Sequence, residues 1–253
     1  MKILKSIIIF TWVLSGLALA GDNRVQFSAD TLTTTPQQGT QLGKLYVGDN
    51  RMRTEVTVND NTFIQIIDIT NQITYMINTA QKSYMRRKAN VEAIPGTATV
   101  KESNPCAGMQ NITCKKLGEE EISGRVTEKW EFSNTLDSTA GKMYYWLDKE
   151  RQIPVRQTMP DGSGMEMTLL GREKVDGRDT EKWEMKATRP GGKSPATLQW
   201  YDPELQMNIR EEHSGGFLRE IKKISIGPQP ATLFTVPEGY REVGSGQGLG
   251  PGK

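Results

Sequence analysis

Short segments in which apolar and polar residues alternate follow one another along most of the chain. Alternation with a period of two predicts β-strands, because successive side chains of a strand point to opposite faces of its sheet. Met52 to Val58 alternates cleanly, and 63–69 and 73–77 are rich in the β-branched and aromatic residues that strands favour. Short polar turns separate these segments, and such turns join antiparallel neighbours. The first third of the chain therefore predicts an antiparallel meander.

Helical periodicity is scarce beyond the first twenty residues. In the first half of the chain, only Lys82 to Ala93 is interpreted as a helix. The hydrophobic pattern thus predicts a mainly β (α+β) fold, with one antiparallel sheet and few short helices.

The second half of the chain contains a repeat. Leu117 to Glu131 returns as Leu170 to Glu184, and ten of the fifteen aligned pairs are identical. Further residues recur 54 positions later: Trp146, Asp148, Glu150, Gln152 and Arg156 match Trp200, Asp202, Glu204, Gln206 and Arg210. We interpret 117–156 and 170–210 as an internal duplication. Two copies are too few for a solenoid or propeller, so we expect one sheet that continues through both, with Trp130 equivalent to Trp183 and Trp146 to Trp200.

The first twenty residues have the features of a secretory leader. Lys2 and Lys5 precede an apolar run, and Ala18 and Ala20 are the small residues of a cleavage site. The run is shorter than the roughly 20 apolar residues that cross a bilayer. We expect cleavage after Ala20, export to the periplasm and no stable membrane anchor; the alternative is an uncleaved leader that tethers the protein. Gly21 occupies the position where a lipid-modified protein would carry cysteine.

The leader lysines account for the formal net charge of +2, so the remaining chain is neutral. Acidic and basic residues are interleaved in it, which indicates neither a nucleic-acid-binding patch nor an anionic membrane footprint. We expect one domain over 21–243, and a disordered Gly-rich tail over 244–253.

The two cysteines, Cys106 and Cys114, are expected to form a disulfide in an exported protein. A redox pair favours Cys-x-x-Cys, and a zinc site needs more ligands. The single histidine, His213, lies in a predicted loop beside two glutamates and is interpreted as a solvated turn residue. The sequence has no Gly-x-Ser-x-Gly motif, and the Gly-Pro-Gly-Lys end lacks the spacing of a phosphate loop.

Acidic residues are numerous, but their positions favour structural roles. Glu128-Lys129 and Glu181-Lys182 recur with the repeat and are interpreted as cross-strand ion pairs on a solvent face. Asp148 and Asp202 follow a tryptophan at the same spacing and are interpreted as turn residues. We therefore predict no enzyme, no catalytic residues, no metal site and no cofactor.

Aromatic residues and methionines form the remaining candidate site. We predict that part of this surface stays open to an apolar ligand, because so few helices are available to cover the sheet, and methionine suits ligands of varied shape. The alternative is that these residues form ordinary core between packed layers. The predicted ligand-binding residues are Trp130, Trp146, Trp183, Trp200, Tyr46, Tyr75, Met76 and Met185.

Several motifs of the chain are distinctive. They are the leader, Phe-Ser-Ala-Asp at 27–30, Gly-Lys-Leu-Tyr-Val at 43–47, the two Gly-x-x-Thr-Glu-Lys-Trp-Glu copies, the segments around Cys106 and Cys114, and the closing 233–240. These motifs resemble those of an uncharacterised family of exported bacterial proteins, domain of unknown function 4412. That family in turn resembles the periplasmic lipoprotein carriers of the LolA and LppX kind, which are unclosed β half-barrels with a helical lid over an apolar concavity.

This resemblance implies a half-barrel that binds lipid, a lipoprotein acyl chain or a similar apolar ligand. The same fold also suits a second function, in which an envelope protein docks on an open sheet edge or aromatic face for interaction or sensing. The chain differs from the carriers in its scarcity of lid-like helices and in its repeat.

Overall fold

The computed structural model describes residues 25–89, 105–106, 109–151 and 153–244. The predicted leader and residues 245–253 of the predicted tail lie outside the described residues. Short strands joined by tight turns dominate, as the alternating pattern predicts.

The strands of the described residues are β1 (Phe27–Thr35), β2 (Gly39–Gly48), β3 (Arg51–Val58), β4 (Asn61–Asp68), β5 (Ile73–Asn78), β6 (Ser83–Lys88), β7 (Ile112–Ile122), β8 (Arg125–Asn134), β9 (Lys142–Asp148), β10 (Pro154–Thr158), β11 (Gly164–Val175), β12 (Arg178–Arg189), β13 (Gly192–Lys193), β14 (Thr197–Asp202), β15 (Met207–His213), β16 (Phe217–Ile226) and β17 (Arg241–Glu242). The one helix of the described residues is a 3₁₀ turn at Ala231–Phe234. No helix in this part of the chain has the length and apolar character needed to cross a bilayer.

The strands form one large antiparallel sheet. From one edge to the other, the paired neighbours run β6, β5, β4, β3, β2, β1, β16, β15, β14, β12, β11, β10, β9, β8 and β7. β13 pairs with the end of β12, and β17 adds to the outer side of β6 as the parallel strand. The predicted antiparallel meander and the mainly β class are confirmed.

The sheet is open and curved. Among the described residues, β7 pairs on one side only, with β8, so it forms an edge. The turn between β11 and β12 reaches β16, three strands away from β12, where the Lys223 N–H donates to the Asp176 carboxylate at 2.7 Å. A flat sheet would not bring these positions together.

The helix predicted over Lys82–Ala93 is wrong. Ser83–Lys88 is β6, and residues 90–93 lie outside the described residues. A tight turn at Lys82, with φ of 45°, returns the chain so that Met85 lies opposite Met76. Pairing with β5 buries Ser83 and Met85 on one face, and this tertiary contact outweighs local helix propensity.

Paired residues define two faces of the sheet. Phe27 lies opposite Val47, Val47 opposite Met52, and Met52 opposite Ile67, so these side chains share what we call the Phe27 face. The opposite surface carries Tyr46 and is called the Tyr46 face.

The main apolar cluster is built around the Phe27 face in the middle of the sheet. Its buried members are Phe27, Ala29, Leu45, Val47, Met52, Ile67, Leu205, Met207, Ile209 and Ile221. Leu205 enters this cluster from the turn between β14 and β15, so a turn rather than a helix covers the strands here.

The predicted disulfide is present. Cys106 bonds to Cys114 of β7, with 6.0 Å between the two Cα atoms. The bond lies in a second buried cluster with Trp130, Phe132 and Leu147. It therefore fastens the segment before β7 onto the edge of the sheet.

The segment after β16 covers part of the Tyr46 face. Phe234, at 5 % exposure, clusters with Ile64, Ile66 and Ile77. Arg53 Nη1 donates to the Leu233 carbonyl at 2.9 Å and holds the segment in place. Any Cβ at position 48 would lie 2.6 Å from the Phe234 ring, so this approach requires the glycine there.

We predict that Phe234→Ala destabilises the protein by about 3–5 kcal/mol, the usual cost of truncating a buried large aromatic residue. The control is Leu136→Ala, because Leu136 is 77 % exposed, and it should change stability by no more than about 0.5 kcal/mol. Urea unfolding of both variants measures the difference. Equal stability of the two variants would contradict the packing of the closing segment.

Candidate functional site

The predicted ligand-binding residues lie on both faces and at several places along the sheet. By register, Trp130 of β8 and Trp183 and Met185 of β12 lie on the Phe27 face. Trp146 and Trp200 lie on the Tyr46 face. All four tryptophans are buried, at 3–7 % exposure.

The other three predicted residues lie in the N-terminal half. Tyr46 and Tyr75 are half-buried on the Tyr46 face, where they pack against the cluster that contains Phe234. Met76 lies on the Phe27 face opposite Met85. The eight predicted residues therefore do not converge on one site, although Trp183 and Met185 are two positions apart on one strand face.

On the Tyr46 face, the two tryptophans each lie between two cations. Lys129 Nζ lies 4.7 Å from the Trp146 ring centroid, and the Arg156 guanidinium lies 5.5 Å from it. The indole N–H of Trp146 donates to Glu120 at 2.8 Å, and this hydrogen bond is the largest cause of the lowered pKa of Glu120.

The same arrangement occurs at Trp200. Lys182 Nζ and the Arg210 guanidinium lie 4.8 and 5.0 Å from the Trp200 ring centroid, and the indole N–H donates to Glu173. Cation–π attraction and the apolar stems of these long side chains hold both rings in place. These contacts cover Trp146 and Trp200 and give them a structural role.

The tryptophans of the Phe27 face also donate to carboxylates. Trp183 Nε1 donates to Glu181 at 3.1 Å, and Arg151 binds the same carboxylate with two hydrogen bonds of 2.7 and 2.8 Å. Trp130 Nε1 donates to Glu128 at 3.2 Å, and Lys116 pairs with Glu128 at 2.6 Å.

The interpretation of Glu181-Lys182 as a solvent-face ion pair is wrong. Glu181 is 2 % exposed and pairs with Arg151, whereas Lys182 points to the other face and pairs with Glu173 at 3.4 Å. Adjacent strand residues point to opposite faces, so they cannot pair directly. Burial raises the pKa of Glu181, but the hydrogen bonds and charge of Arg151 outweigh it, and the net pKa is lowered.

The two aspartates predicted to lie in turns are the last residues of β9 and β14, and their carboxylates bind the turns that follow. The Asp148 carboxylate accepts from the backbone N–H groups of Glu150 and Arg151, at 2.9 and 3.0 Å, and from the side chain of Arg125. Asp202 accepts from Glu204, Leu205 and Arg178 in the same way. Both carboxylates are thus occupied by structural bonds. The described residues contain no group of three or more His, Cys, Asp or Glu side chains that could hold a metal ion.

His213 ends β15 instead of lying in a loop, which corrects its predicted placement. Its ring contacts Phe217 edge-on at 4.9 Å, and its Nδ1 lies 3.3 Å from Thr197 Oγ1. The register places Thr197 opposite Met185, so His213 lies two strands from Met185 on the Phe27 face.

A further group of apolar side chains lies on the Phe27 face of β9, β11 and β12. We call it the methionine face; its members are Met143, Tyr145, Met165, Met167, Leu169 and Met185. Each of the six is half-buried, and so part of each side chain is in contact with solvent.

The register joins these residues into one surface. Met167 lies directly opposite Met185, and Gln157 of β10 lies opposite both Met165 and Tyr145. Burial raises the pKa of the Tyr145 hydroxyl, which indicates surroundings of low polarity. Such a surface can bind apolar material.

Sequence reasoning selected Met185 and missed most of the methionine face. The available signal was the alternation Met165-Glu166-Met167, which places both methionines on one face of a strand. Their proximity to Met185 depends on the pairing register of β11 with β12, which the sequence alone does not supply.

The two tryptophan-linked glutamates provide a matched pair for testing the site. Glu181→Gln should destabilise the protein by about 3–5 kcal/mol at neutral pH, because it leaves Arg151 buried without its counter-charge. Glu128→Gln is the control: its partner Lys116 is 40 % exposed on the side chain, so the loss should be about 0–1 kcal/mol.

Urea unfolding at several pH values measures both changes. The pKa of Glu181 is lowered in the folded protein, so its contribution to folding stability is complete at pH values above its pKa in the unfolded chain. This stabilisation is lost as the pH falls through the pKa of Glu181 in the folded protein. The stability difference between the parent and Glu181→Gln should therefore shrink in that pH range. A deficit that matches the control at all pH values would refute the buried ion pair.

Comparison with known proteins identifies the family of one segment. Residues 30–153 match the family described as "Domain of unknown function (DUF4412)", which confirms the family resemblance of the motifs within that segment. No curated protein matches the chain.

Distant likenesses to solved structures come from several bacteria. A LolA superfamily protein of Nitrosomonas europaea is 12 % identical, with 84 % of this chain and 90 % of that chain covered, at a TM-score of 0.37. An outer membrane lipoprotein-sorting protein domain of Vibrio parahaemolyticus is 14 % identical, with 85 % of this chain and 90 % of that chain covered, at a TM-score of 0.36. A chain of the MucA/MucB complex of Pseudomonas aeruginosa is 9 % identical, with 84 % of this chain and 91 % of that chain covered, at a TM-score of 0.24. At these TM-scores the likenesses support no inference about function.

Proposed function

We propose that this chain, whose residues 30–153 form a DUF4412 domain, is an exported carrier-like protein that binds an apolar ligand on the methionine face. The observation that carries the proposal is the partial exposure of six apolar side chains on one face of β9, β11 and β12. A lipid or the acyl chain of a lipoprotein has the chemistry that fits this surface. The proposed role is binding, without catalysis.

The surface favours reversible binding of variable chains. Methionine side chains are unbranched and polarisable, and they adapt to irregular partners. Burying about ten methylenes contributes roughly 8 kcal/mol at ~0.8 kcal/mol each. Association itself costs about 4–15 kcal/mol, so the net affinity is at most modest. A carrier that must release its cargo requires an affinity of this kind.

Trp130, Trp183 and Met185 are the predicted ligand-binding residues that this proposal retains. Trp183 lies opposite Leu169, and Trp130 lies opposite Tyr145, so both indoles border the methionine face. Because both rings are buried, we propose that they form its floor and do not contact bulk solvent. Their fluorescence emission should respond to a ligand bound above them.

We also propose that the two hairpin groups arose by internal duplication of 117–156 and 170–210. The matching contacts support this proposal. Thr127 Oγ1 donates to the Glu120 carbonyl at 2.7 Å, and Thr180 Oγ1 donates to the Glu173 carbonyl at the same distance. The cation-flanked tryptophans and the turn aspartates recur in the same way.

Export to the periplasm, cleavage after Ala20 and a single domain over 21–243 complete the proposal. The leader pattern supports export, and the disulfide between Cys106 and Cys114 suits an oxidising compartment.

An alternative function is the docking of an envelope protein at the β7 edge. Within the described part of the chain, β7 has a strand neighbour on one side only, and Leu117 at its bulge is 43 % exposed. An open edge accepts an additional strand through main-chain hydrogen bonds. In this function the methionine face would not need a small apolar ligand.

Titration with a fluorescent fatty-acid probe tests the carrier proposal. Met167→Gln and Leu169→Gln should each weaken binding roughly tenfold or more, since burying such a side chain contributes about 1.5–3 kcal/mol and 1.4 kcal/mol corresponds to tenfold. Thr168→Gln is the matched control, because Thr168 lies on the other face of the same strand. The affinity of this variant for the probe should equal that of the parent.

Two outcomes would count against the carrier proposal. A parent protein that binds no probe would contradict it and favour the envelope-protein alternative. Equal affinities for Leu169→Gln and Thr168→Gln would show that the probe binds elsewhere.

A further inference from the structure

Three methionines of the methionine face lie close enough to share one ligand. Met167 and Met185 are directly opposite on β11 and β12, where Cα atoms lie about 4.5–5.5 Å apart. Met165 lies two residues from Met167 on the same strand face, about 6.8 Å along β11. Its diagonal distance to Met185 is about 7–8 Å, within the reach of long side chains. Each side chain has three rotatable bonds, so the three sulfur atoms can converge above the sheet.

The chemistry around these sulfurs is soft and uncharged. Thioethers select Cu(I), whereas hard cations prefer carboxylate and carbonyl oxygens. Glu166 and Glu184 are the nearest carboxylates along the two strands, and alternation places both on the opposite face. A hard divalent cation would therefore find no oxygen ligand from these two side chains.

The cysteines do not compete for a soft metal. The chain has two cysteines, and both form the disulfide between Cys106 and Cys114. The soft sulfur ligands that remain are thioethers. In an oxidising compartment thiols form disulfides and no longer bind metal ions, whereas thioethers can still bind them.

We propose that Met165, Met167 and Met185 form a binding site for one Cu(I) ion. The site goes beyond the carrier function and does not depend on it, because it uses the sulfur lone pairs and not the apolar area. Capture of Cu(I) by neutral thioethers involves no redox step and displaces solvent from the ion.

Other methionines lack this arrangement. Met76 and Met85 are also opposite on neighbouring strands, but Met85 is 4 % exposed and its sulfur accepts a hydrogen bond from Arg87 Nε at 3.1 Å. Met52 and Met207, at 5 % and 1 % exposure, belong to the main apolar cluster. These buried residues supply control substitutions.

Competition with bicinchoninate under anaerobic conditions tests the site in the full mature chain. The parent protein should withdraw one Cu(I) per chain from the chelator. The triple variant Met165→Leu, Met167→Leu and Met185→Leu should lose this binding. Because leucine preserves volume and apolarity, the variant should still fold, with a urea unfolding midpoint close to that of the parent. The control triple variant, Met52→Leu, Met85→Leu and Met207→Leu, should retain the Cu(I).

The result that would overturn the proposal is a parent that withdraws no Cu(I), or a leucine triple variant that withdraws as much as the parent. The methionine methyl resonances of the parent give a second test that needs no variant. Addition of Ag(I), a redox-inert soft analogue, should shift those of Met165, Met167 and Met185, and shifts confined to other methionines would contradict the site. A parent protein that binds the probe but not Cu(I) refutes this site alone. A parent protein that binds Cu(I) but not the probe refutes the carrier function alone.

Discussion

The structure depends on one constraint: a single sheet must bury its apolar residues without a layer of helices. A sheet with an apolar face is stable when another element covers that face. Here the cover comes from turns and from the segment after β16. Leu205 reaches the main cluster from a turn, and Phe234 seals part of the Tyr46 face. Where β9, β11 and β12 extend beyond these covers, the methionine face keeps contact with solvent.

The tryptophans show how aromatic residues can serve structure in such a sheet. Trp146 and Trp200 are covered by cross-strand lysine and arginine side chains, and their indole N–H groups are satisfied by glutamates. The long aliphatic stems of Lys and Arg take the place of a second layer while their charges stay in water. The repeated contacts therefore stabilise the curved sheet from the Tyr46 face.

The sequence predicts the elements better than it predicts their faces. Alternation identified the antiparallel strands, and the spacing after each tryptophan identified the turns at Asp148 and Asp202. The assignment of faces failed because the face of each tryptophan depends on the pairing register. Lys129 lies opposite Trp146 and Lys182 lies opposite Trp200, so the two tryptophans of each copy lie on opposite faces. A shift of one residue moves every following side chain to the opposite face.

Long-range partners were also beyond local reasoning. Arg151 binds Glu181 from thirty residues away, and β6 forms because β5 pairs with it, against the helical pattern of 82–93. The methionine face has the same origin, since only the pairing of β11 with β12 brings Met167 to Met185. Local pattern fixes which residues share a strand face, whereas tertiary pairing decides which strands share a site.

The methionine face is partly open to solvent, whereas the main apolar cluster is closed. Dose-dependent peroxide oxidation, followed by peptide mass spectrometry, measures this directly, because sulfoxide formation depends on access to the sulfur. The account predicts that Met165, Met167 and Met185 are oxidised well before Met52 and Met207. Equal protection of all five methionines would contradict it.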